Sequence, residues 1–149
     1  MEFFQNTIPE ALANLTESTE RVWGTMSPQA MVEHLVGSWM ISNGRAQIGL
    51  AVPEESLPKR REFLFSDRPY ERGIPNPTQA PGEQKLRKES LHASKDALLK
   101  EMDGFFEHHK QNSGVVYTHP VFGELDFEGW LTFQKKHMGH HLRQFALID

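Results

Sequence analysis

The sequence contains no cysteine, and this absence removes several classes of protein at once. Without a thiol the chain can form no disulfide, and it offers neither a thiolate metal ligand nor a cysteine nucleophile. Any metal site of this chain therefore has to rest on histidine and carboxylate side chains. A chain without disulfides fits a reducing compartment, so we expect a cytoplasmic protein.

Long apolar runs and an excess of positive charge are also missing. No stretch approaches the ~20 apolar residues that span a bilayer, and the first residues lack the basic start and apolar run of a signal peptide. The net charge is −4, whereas nucleic acids and anionic membranes favour surfaces rich in Lys and Arg. We therefore expect no nucleic-acid and no membrane partner. A length of 149 residues predicts one domain over residues 1–149.

Four helical segments are predicted from apolar periodicity and from capping residues. They run from Pro9 to about Val22, from Ser27-Pro28 to Ser42-Asn43-Gly44, from roughly Ser94 to Asn112, and from about Phe127 to Phe145. Residues 84–93 either extend the third helix upstream or form a separate turn. The second opens with a serine in the N-cap position and a proline suited to the first helical position. Asp126 is the expected N-cap of the last helix.

A proline-rich connection separates the second and third predicted helices. Residues 45–82 hold six of the nine prolines, at positions 53, 58, 69, 75, 77 and 81, and show no sustained helical period. A short helical piece is predicted around 56–65, with Phe63, Leu64 and Phe65 anchoring it. Two interpretations stay open: a segment that covers one end of the core, or a loosely ordered connection. The pattern as a whole predicts an all-α fold, a four-helix bundle with one long crossover.

Two histidines in the last helix form a candidate metal-binding pair. His137 and His141 stand four residues apart, so they share a helix face with Cβ atoms about 6 Å apart. Imidazoles at that spacing can both reach one ion at ~2.0–2.1 Å. The alternative is a pair of solvated surface residues, but Trp130 and Phe133 place His137 on the apolar side. Met138 stands where helical zinc proteases carry a glutamate, so peptide hydrolysis by that route is not expected.

The third candidate ligand is His34, in the second predicted helix. It lies within an apolar stripe made by Met31, Leu35, Ser38 and Trp39. A single histidine on such a face is either a ligand or a hydrogen-bonded core residue, and the pair in the last helix favours the first interpretation. His140 is an alternative partner for His137. The remaining histidines are expected at the surface or behind the ligands, with His109 the one closest to the interior; they are His92, His108, His109 and His119.

These residues together resemble a known superfamily. They form four segments: Trp23-Gly-Thr-Met-Ser-Pro-Gln-Ala-Met-Val-Glu-His34-Leu; His119-Pro-Val-Phe-Gly; Trp130; and His137-Met-Gly-His-His141-Leu-Arg-Gln-Phe. In order and spacing, these segments resemble the DinB-like metalloprotein superfamily, and within it a branch catalogued as a domain of unknown function. The resemblance spans nearly the whole chain. It implies a four-helix bundle, often a homodimer, with a divalent metal, commonly zinc or nickel, held by His34, His137 and His141.

The resemblance leaves the chemistry open, because a shared fold does not determine a reaction. Some superfamily members are S-transferases that use low-molecular-weight thiols, and one is an isomerase. The first hypothesis is therefore a metal-dependent enzyme that transfers a small thiol to an electrophile. The second is a non-catalytic protein in which the ion joins helices two and four, and the third is a metal-free helical interaction module with hydrogen-bonded histidines.

Three imidazoles leave positions on an ion open, as in catalytic rather than structural sites. Such an ion can lower the pKa of bound water or ionise a substrate thiol. No catalytic acid or base stands out. Glu33 adjoins His34 but projects about 100° away around the helix. Arg143 and Gln144 are candidates for orienting a ligand imidazole, with packing and solvation as the alternative.

Overall fold

The computed structural model describes residues 1–74 and 85–149. Its elements, in chain order, are a π-helical turn (Phe3–Thr7), α1 (Ile8–Asn14), α2 (Pro28–Ser42), a 3-10 helix (Glu54–Ser56), α3 (Leu57–Leu64), α4 (Leu91–Gln111), β1 (Tyr117–His119), β2 (Gly123–Leu125) and α5 (Phe127–Gln144). The prediction of an all-α four-helix bundle is wrong, because these residues form five α-helices and an antiparallel two-stranded sheet. None of the helices described has the length and apolarity needed to cross a membrane.

The sheet is a short hairpin between the third and the last predicted helix, where no strand was predicted. Tyr117 pairs with Leu125 and His119 with Gly123. The Nδ1 atom of His119 accepts hydrogen bonds from the backbone N–H groups of Val121 (3.0 Å) and Phe122 (3.2 Å), which holds the turn closed. Strands of three residues are too short for an alternating pattern to stand out in the sequence, so the prediction missed them.

Two helices start at the capping residues that the sequence predicts, whereas one helix ends earlier than predicted. Ser27 accepts a hydrogen bond from the Ala30 N–H and Asp126 from the Gly129 N–H, which confirms the predicted starts of α2 and α5. The first predicted helix is too long, because α1 ends at Asn14 rather than near position 22. The third starts at Leu91, so residues 91–93 form the upstream extension that the sequence left open.

Helix α2 is central to the fold and packs along both α4 and α5. Trp39 of α2 is fully buried, with its ring 5.1 Å from Phe105 of α4. Its indole N–H points to the sulfur of Met138 in α5, at 3.3 Å. A single core residue thus contacts both neighbouring helices, and the ligand candidates of α2 and α5 face each other across this core.

A polar seam sets the register between α2 and α5. Ser38 donates to Oε1 of Gln134 (3.1 Å), and Nε2 of Gln134 donates to Ser42 (3.4 Å). Gln134 has no exposed surface, so its amide depends on these partners. Since His34 lies one turn before Ser38, the same register brings it opposite His137.

The described part of the proline-rich connection packs on α5. Helix α3 corresponds to the predicted short helix at 56–65, and its Leu64 is fully buried. The ammonium group of Lys136 donates to the carbonyl oxygens of Phe63 (2.9 Å), Ser66 (2.7 Å) and Arg68 (2.8 Å). This cation therefore fastens the end of α3 and the chain that follows it. Residues 75–82 of the predicted connection lie outside the described residues.

Candidate metal centre

The structure brings His34, His137 and His141 together. The Nε2 atom of His137 lies 2.9 Å from Nε2 of His34 and 3.2 Å from Nε2 of His141. One ligand atom from each of the three residues lies within 4.8 Å of the other two. Nitrogens bound to one tetrahedral ion at 2.0–2.1 Å are themselves about 3.3 Å apart, so the three atoms fit a shared ion with little movement.

Hydrogen bonding alone does not satisfy the three nitrogens that meet here. Nδ1 of His141 lies 3.0 Å from Oε1 of Gln144, an acceptor, so Nδ1 carries the proton and Nε2 presents a lone pair. Nε2 of His137 has two neighbouring nitrogens but at most one hydrogen to donate. A divalent cation would accept a lone pair from all three imidazoles, and the donor set therefore fits a metal ion.

All three imidazoles are held in the neutral form that metal binding requires. Burial lowers the pKa of His34 to about 4, with a smaller effect from His140. Burial, with smaller effects from neighbouring imidazoles, lowers the pKa of His141 to about 3 and that of His137 well below its ordinary value. The imidazole of His137 also stacks on Phe133, at 4.9 Å between ring centres.

Gln144 connects a ligand to the loop before α2. While its Oε1 faces His141, its Nε2 donates to the carbonyl of Trp23 at 3.0 Å. Gly24 makes this contact possible: its φ is +83°, and a Cβ there would lie 2.1 Å from Nε2 of Gln144. The expected role of Gln144 in orienting a ligand thus has a geometric basis. Arg143 is exposed and donates to the carbonyl of Asp149 at 2.6 Å, so it does not contact the ligands.

Each ligand helix carries a charged residue just before its first ligand, and both are bound to backbone. Glu33 accepts hydrogen bonds from the N–H groups of Arg87 (2.7 Å) and Lys88 (3.0 Å). Burial would raise the pKa of the Glu33 carboxyl, but these bonds and those from neighbouring side chains outweigh it and hold the pKa low. Lys136, before His137, holds the end of α3 as described above. Glu33 is therefore an anchor for the chain before α4.

An aromatic wall flanks the centre and was missed in the sequence. The ring of His140 lies 5.2 Å from that of His141, 5.8 Å from Trp23 and 5.6 Å from Tyr70. The guanidinium of Arg72 lies 3.9 Å from the centre of the Trp23 ring. Trp23 and the Tyr70–Arg72 segment lie in irregular chain, where no periodic pattern could have placed them beside α5.

The other histidines do not belong to the three-ligand cluster. His140 belongs to the wall rather than to the ligand cluster, so the alternative pairing with His137 is not what the structure shows. His109 is buried and its Nε2 lies 3.0 Å from the Ser42 carbonyl oxygen. Nε2 of His108 lies 2.7 Å from the Tyr117 hydroxyl. His119 holds the hairpin, and His92 is exposed beside Asp96.

Fold and site together define a mostly helical protein with a candidate three-histidine metal centre between α2 and α5. The chain belongs to the family described as protein of unknown function (DUF1569), whose model matches residues 61–147. The matched segment contains His137 and His141 but begins after His34. No curated protein and no solved structure matches the chain.

Proposed function

We propose that this protein binds one divalent metal ion through His34, His137 and His141. The observation that carries the proposal is the convergence of three Nε2 atoms, with neighbouring distances of 2.9 and 3.2 Å, in imidazoles that burial keeps neutral. Zinc and nickel are the first candidates, since imidazole suits both. Two helices supply the ligands, so the site forms only in the folded chain.

We further propose that the family is a branch of the DinB-like superfamily and that the ion is catalytic. The order of the motifs around Trp23, His34, His119 and His137 supports the relationship. The number of candidate ligands supports an open coordination position, because three histidines leave at least one position of a tetrahedral ion free, whereas closed structural sites fill all four with protein ligands. A divalent ion with an open position supplies Lewis-acid chemistry that ionises a bound thiol or water.

The reaction proposed first is transfer of a small thiol to an electrophile. The sulfur of the ionised thiol forms a carbon–sulfur bond while the bond from that carbon to a leaving group such as chloride breaks with its electron pair. The thiol proton passes to solvent. The chain's own residues bind and orient: Gln144 holds His141 in the ligating tautomer, and the aromatic wall shields one side of the centre. No cysteine of the protein is needed.

Metal analysis of untagged protein tests the first part of this proposal. We expect about one zinc or nickel ion per chain by inductively coupled plasma mass spectrometry, and less than about a tenth of that in His137→Ala. His92→Ala, which removes an exposed histidine, is the matched control and should retain the metal. Metal-free wild-type protein after reconstitution with either ion would refute the proposal.

Turnover tests the second part. The loaded protein should accelerate the reaction of a small thiol with 1-chloro-2,4-dinitrobenzene, and His137→Ala should abolish the acceleration. No acceleration across a broad panel of thiols and electrophiles would leave the second candidate, an ion that joins α2 and α5. That candidate is favoured by the position of the ligands on two helices, and it requires a large drop in melting temperature on chelation. The homodimer implied by the resemblance is tested by sedimentation velocity.

A further inference from the structure

We infer that Arg72 is an oxyanion-binding residue of this site and that the substrate carries a carboxylate in addition to the atom that the metal holds. The inference rests on the proposed metal function, which it makes more specific. It assigns a ligand-binding role to the segment after α3, outside the three histidines.

The charge of the site favours an anionic ligand. Three neutral imidazoles leave the charge of a divalent ion uncompensated, and no carboxylate belongs to the ligand cluster among the described residues. The guanidinium of Arg72 adds a positive charge on the ring of Trp23, which lies 5.8 Å from the ring of His140. A partly buried site with these cations and no carboxylate among its candidate ligands favours a ligand with negative charge.

Arg72 lies on the same side of the centre as His140 and Trp23. Its guanidinium lies on the Trp23 ring at 3.9 Å, and Trp23 is two short ring-to-ring steps from the ligand His141, through His140. Stacking fixes the plane of a guanidinium and leaves its N–H edges free for a planar, bidentate partner such as a carboxylate. Arg72 is thus placed to hold one end of a molecule whose other end lies at the three histidines.

The ring on which Arg72 lies also carries a buried hydrogen-bond donor. Nε1 of Trp23 is buried and has no hydrogen-bond partner in the described part of the chain. A buried N–H without an acceptor is destabilising, so an acceptor is expected. A ligand oxygen held near Arg72 is a source of such an acceptor, and both donors belong to the same wall.

Other cations around the centre are already engaged. Lys136 donates to three carbonyls, and Arg143 donates to the carbonyl of Asp149. The ion pairs formed within residues 1–74 and 85–149 are Arg45–Glu101 and His92–Asp96, and neither includes Arg72. Among the described residues, Arg72 is therefore the cation of the wall that remains available to a ligand.

Matched thiol probes test the inference on zinc-loaded protein. Isothermal titration calorimetry compares 3-mercaptopropionate with 3-mercapto-1-propanol, and 6-mercaptohexanoate with 6-mercapto-1-hexanol, so that each pair differs in the carboxylate and the two lengths differ in reach. We expect at least one carboxylate to bind roughly tenfold more tightly than its alcohol. Arg72→Gln should remove that preference and leave the affinity for the alcohols unchanged.

Two variants keep the result specific. Arg68→Gln makes the same charge change four residues away and should keep the preference, while Arg72→Lys should keep part of it. Zinc content and circular dichroism check that each variant is folded and loaded. Equal affinities for carboxylate and alcohol in wild type, or a preference that survives Arg72→Gln, overturn the inference but leave the proposed function intact. Failure of all four probes to bind zinc-loaded protein counts against the proposed thiol chemistry itself.

Discussion

Two groups of histidines contact α2, and their surroundings differ. In the first half of the helix, His34 meets His137 and His141 with nitrogen facing nitrogen. At its last residue, Ser42, the carbonyl oxygen lies 3.0 Å from Nε2 of His109. His109 and His141 are buried alike, and burial lowers the pKa of His109 as it does those of the first group.

The difference lies in what each ring nitrogen faces. A nitrogen that faces a carbonyl or a hydroxyl is satisfied by one hydrogen, and its histidine has a structural role. When three ring nitrogens face one another, their protons cannot satisfy all three with hydrogen bonds, whereas a cation can accept a lone pair from each. The direction of the nitrogens, rather than the burial of the ring, therefore separates a candidate ligand from a core histidine.

The largest expected effect is a separation of metal binding from stability. His137→Ala should lose the metal, whereas His109→Ala should keep about one ion per chain and lower the free energy of unfolding by about 1–3 kcal/mol, because Ser42 loses a buried donor. Metal analysis and urea denaturation measure the two quantities. Loss of the metal from His109→Ala protein that is fully folded would contradict the distinction between the two groups of histidines.

Metal should stabilise the wild-type protein by mass action. Free zinc at 100 times its dissociation constant should add about 2.7 kcal/mol to the free energy of unfolding. Differential scanning calorimetry of metal-free and loaded protein measures this, and His137→Ala should show no shift. An equal shift in that variant would place the bound ion elsewhere.

The loop before α2 should tune metal affinity without holding the metal. Gln144→Leu removes the acceptor of His141 and should weaken zinc binding roughly 10–100-fold. Gly24→Ala should act in the same direction, since its Cβ would displace Gln144 and its φ is +83°. Gly37→Ala is the control: its Cβ meets nothing within 4 Å, and helix propensity predicts a gain of up to about 1 kcal/mol. Competition with a fluorescent chelator gives the affinities. Unchanged affinity in Gln144→Leu would reduce Gln144 to a packing residue.

The last prediction concerns His119, whose Nδ1 accepts hydrogen bonds from two backbone N–H groups. Burial lowers its pKa to about 3, below the value near 6.5 in the unfolded chain. The unfolded state therefore binds the proton first, so the stabilisation is complete above pH 6.5 and is lost as the pH falls toward 3.

His119→Asn keeps an acceptor but does not titrate. Metal-free variant and wild type should diverge by roughly 2–3 kcal/mol between pH 7 and pH 4, with the wild type declining more steeply. Urea denaturation at several pH values measures this. If the free energies of unfolding of the two proteins fall in parallel with pH, protonation of His119 does not cause the decline. The neighbouring imidazoles, His137 of α5 among them, would then account for it.

The sequence was sufficient to find the three histidines but not the wall beside them. Spacing placed His137 and His141 on one helix face, and the apolar stripe of α2 placed His34 toward the interior; the structure confirms that the three lie together. Trp23 and Arg72 come from irregular segments; Trp23 meets His140 of α5 across 117 positions of the chain (from 23 to 140), and Arg72 meets Trp23 across 49 (from 23 to 72). Periodicity carries no information on such contacts.

The errors in the fold have local causes. The first predicted helix continued past Asn14 because the apolar pattern did, but Thr16 and Thr19 compete for the backbone: the Thr16 N–H donates to Oγ1 of Thr19 at 2.8 Å. Side chains of this type stabilise turns at the expense of helix. The hairpin was missed because its two strands have three residues each, and because a histidine rather than a glycine–asparagine turn closes it.

The backbone anchoring by Glu33 and Lys136 bears on how a proton leaves the centre. Each residue directly precedes a candidate ligand in the chain. The carboxylate of Glu33 already accepts hydrogen bonds from backbone N–H groups, and the ammonium of Lys136 already donates to three backbone carbonyls. Neither is free to relay hydrogen ions. In the thiol chemistry proposed above, a substrate that ionises at the three histidines would therefore release its proton to bulk water rather than to either of these side chains.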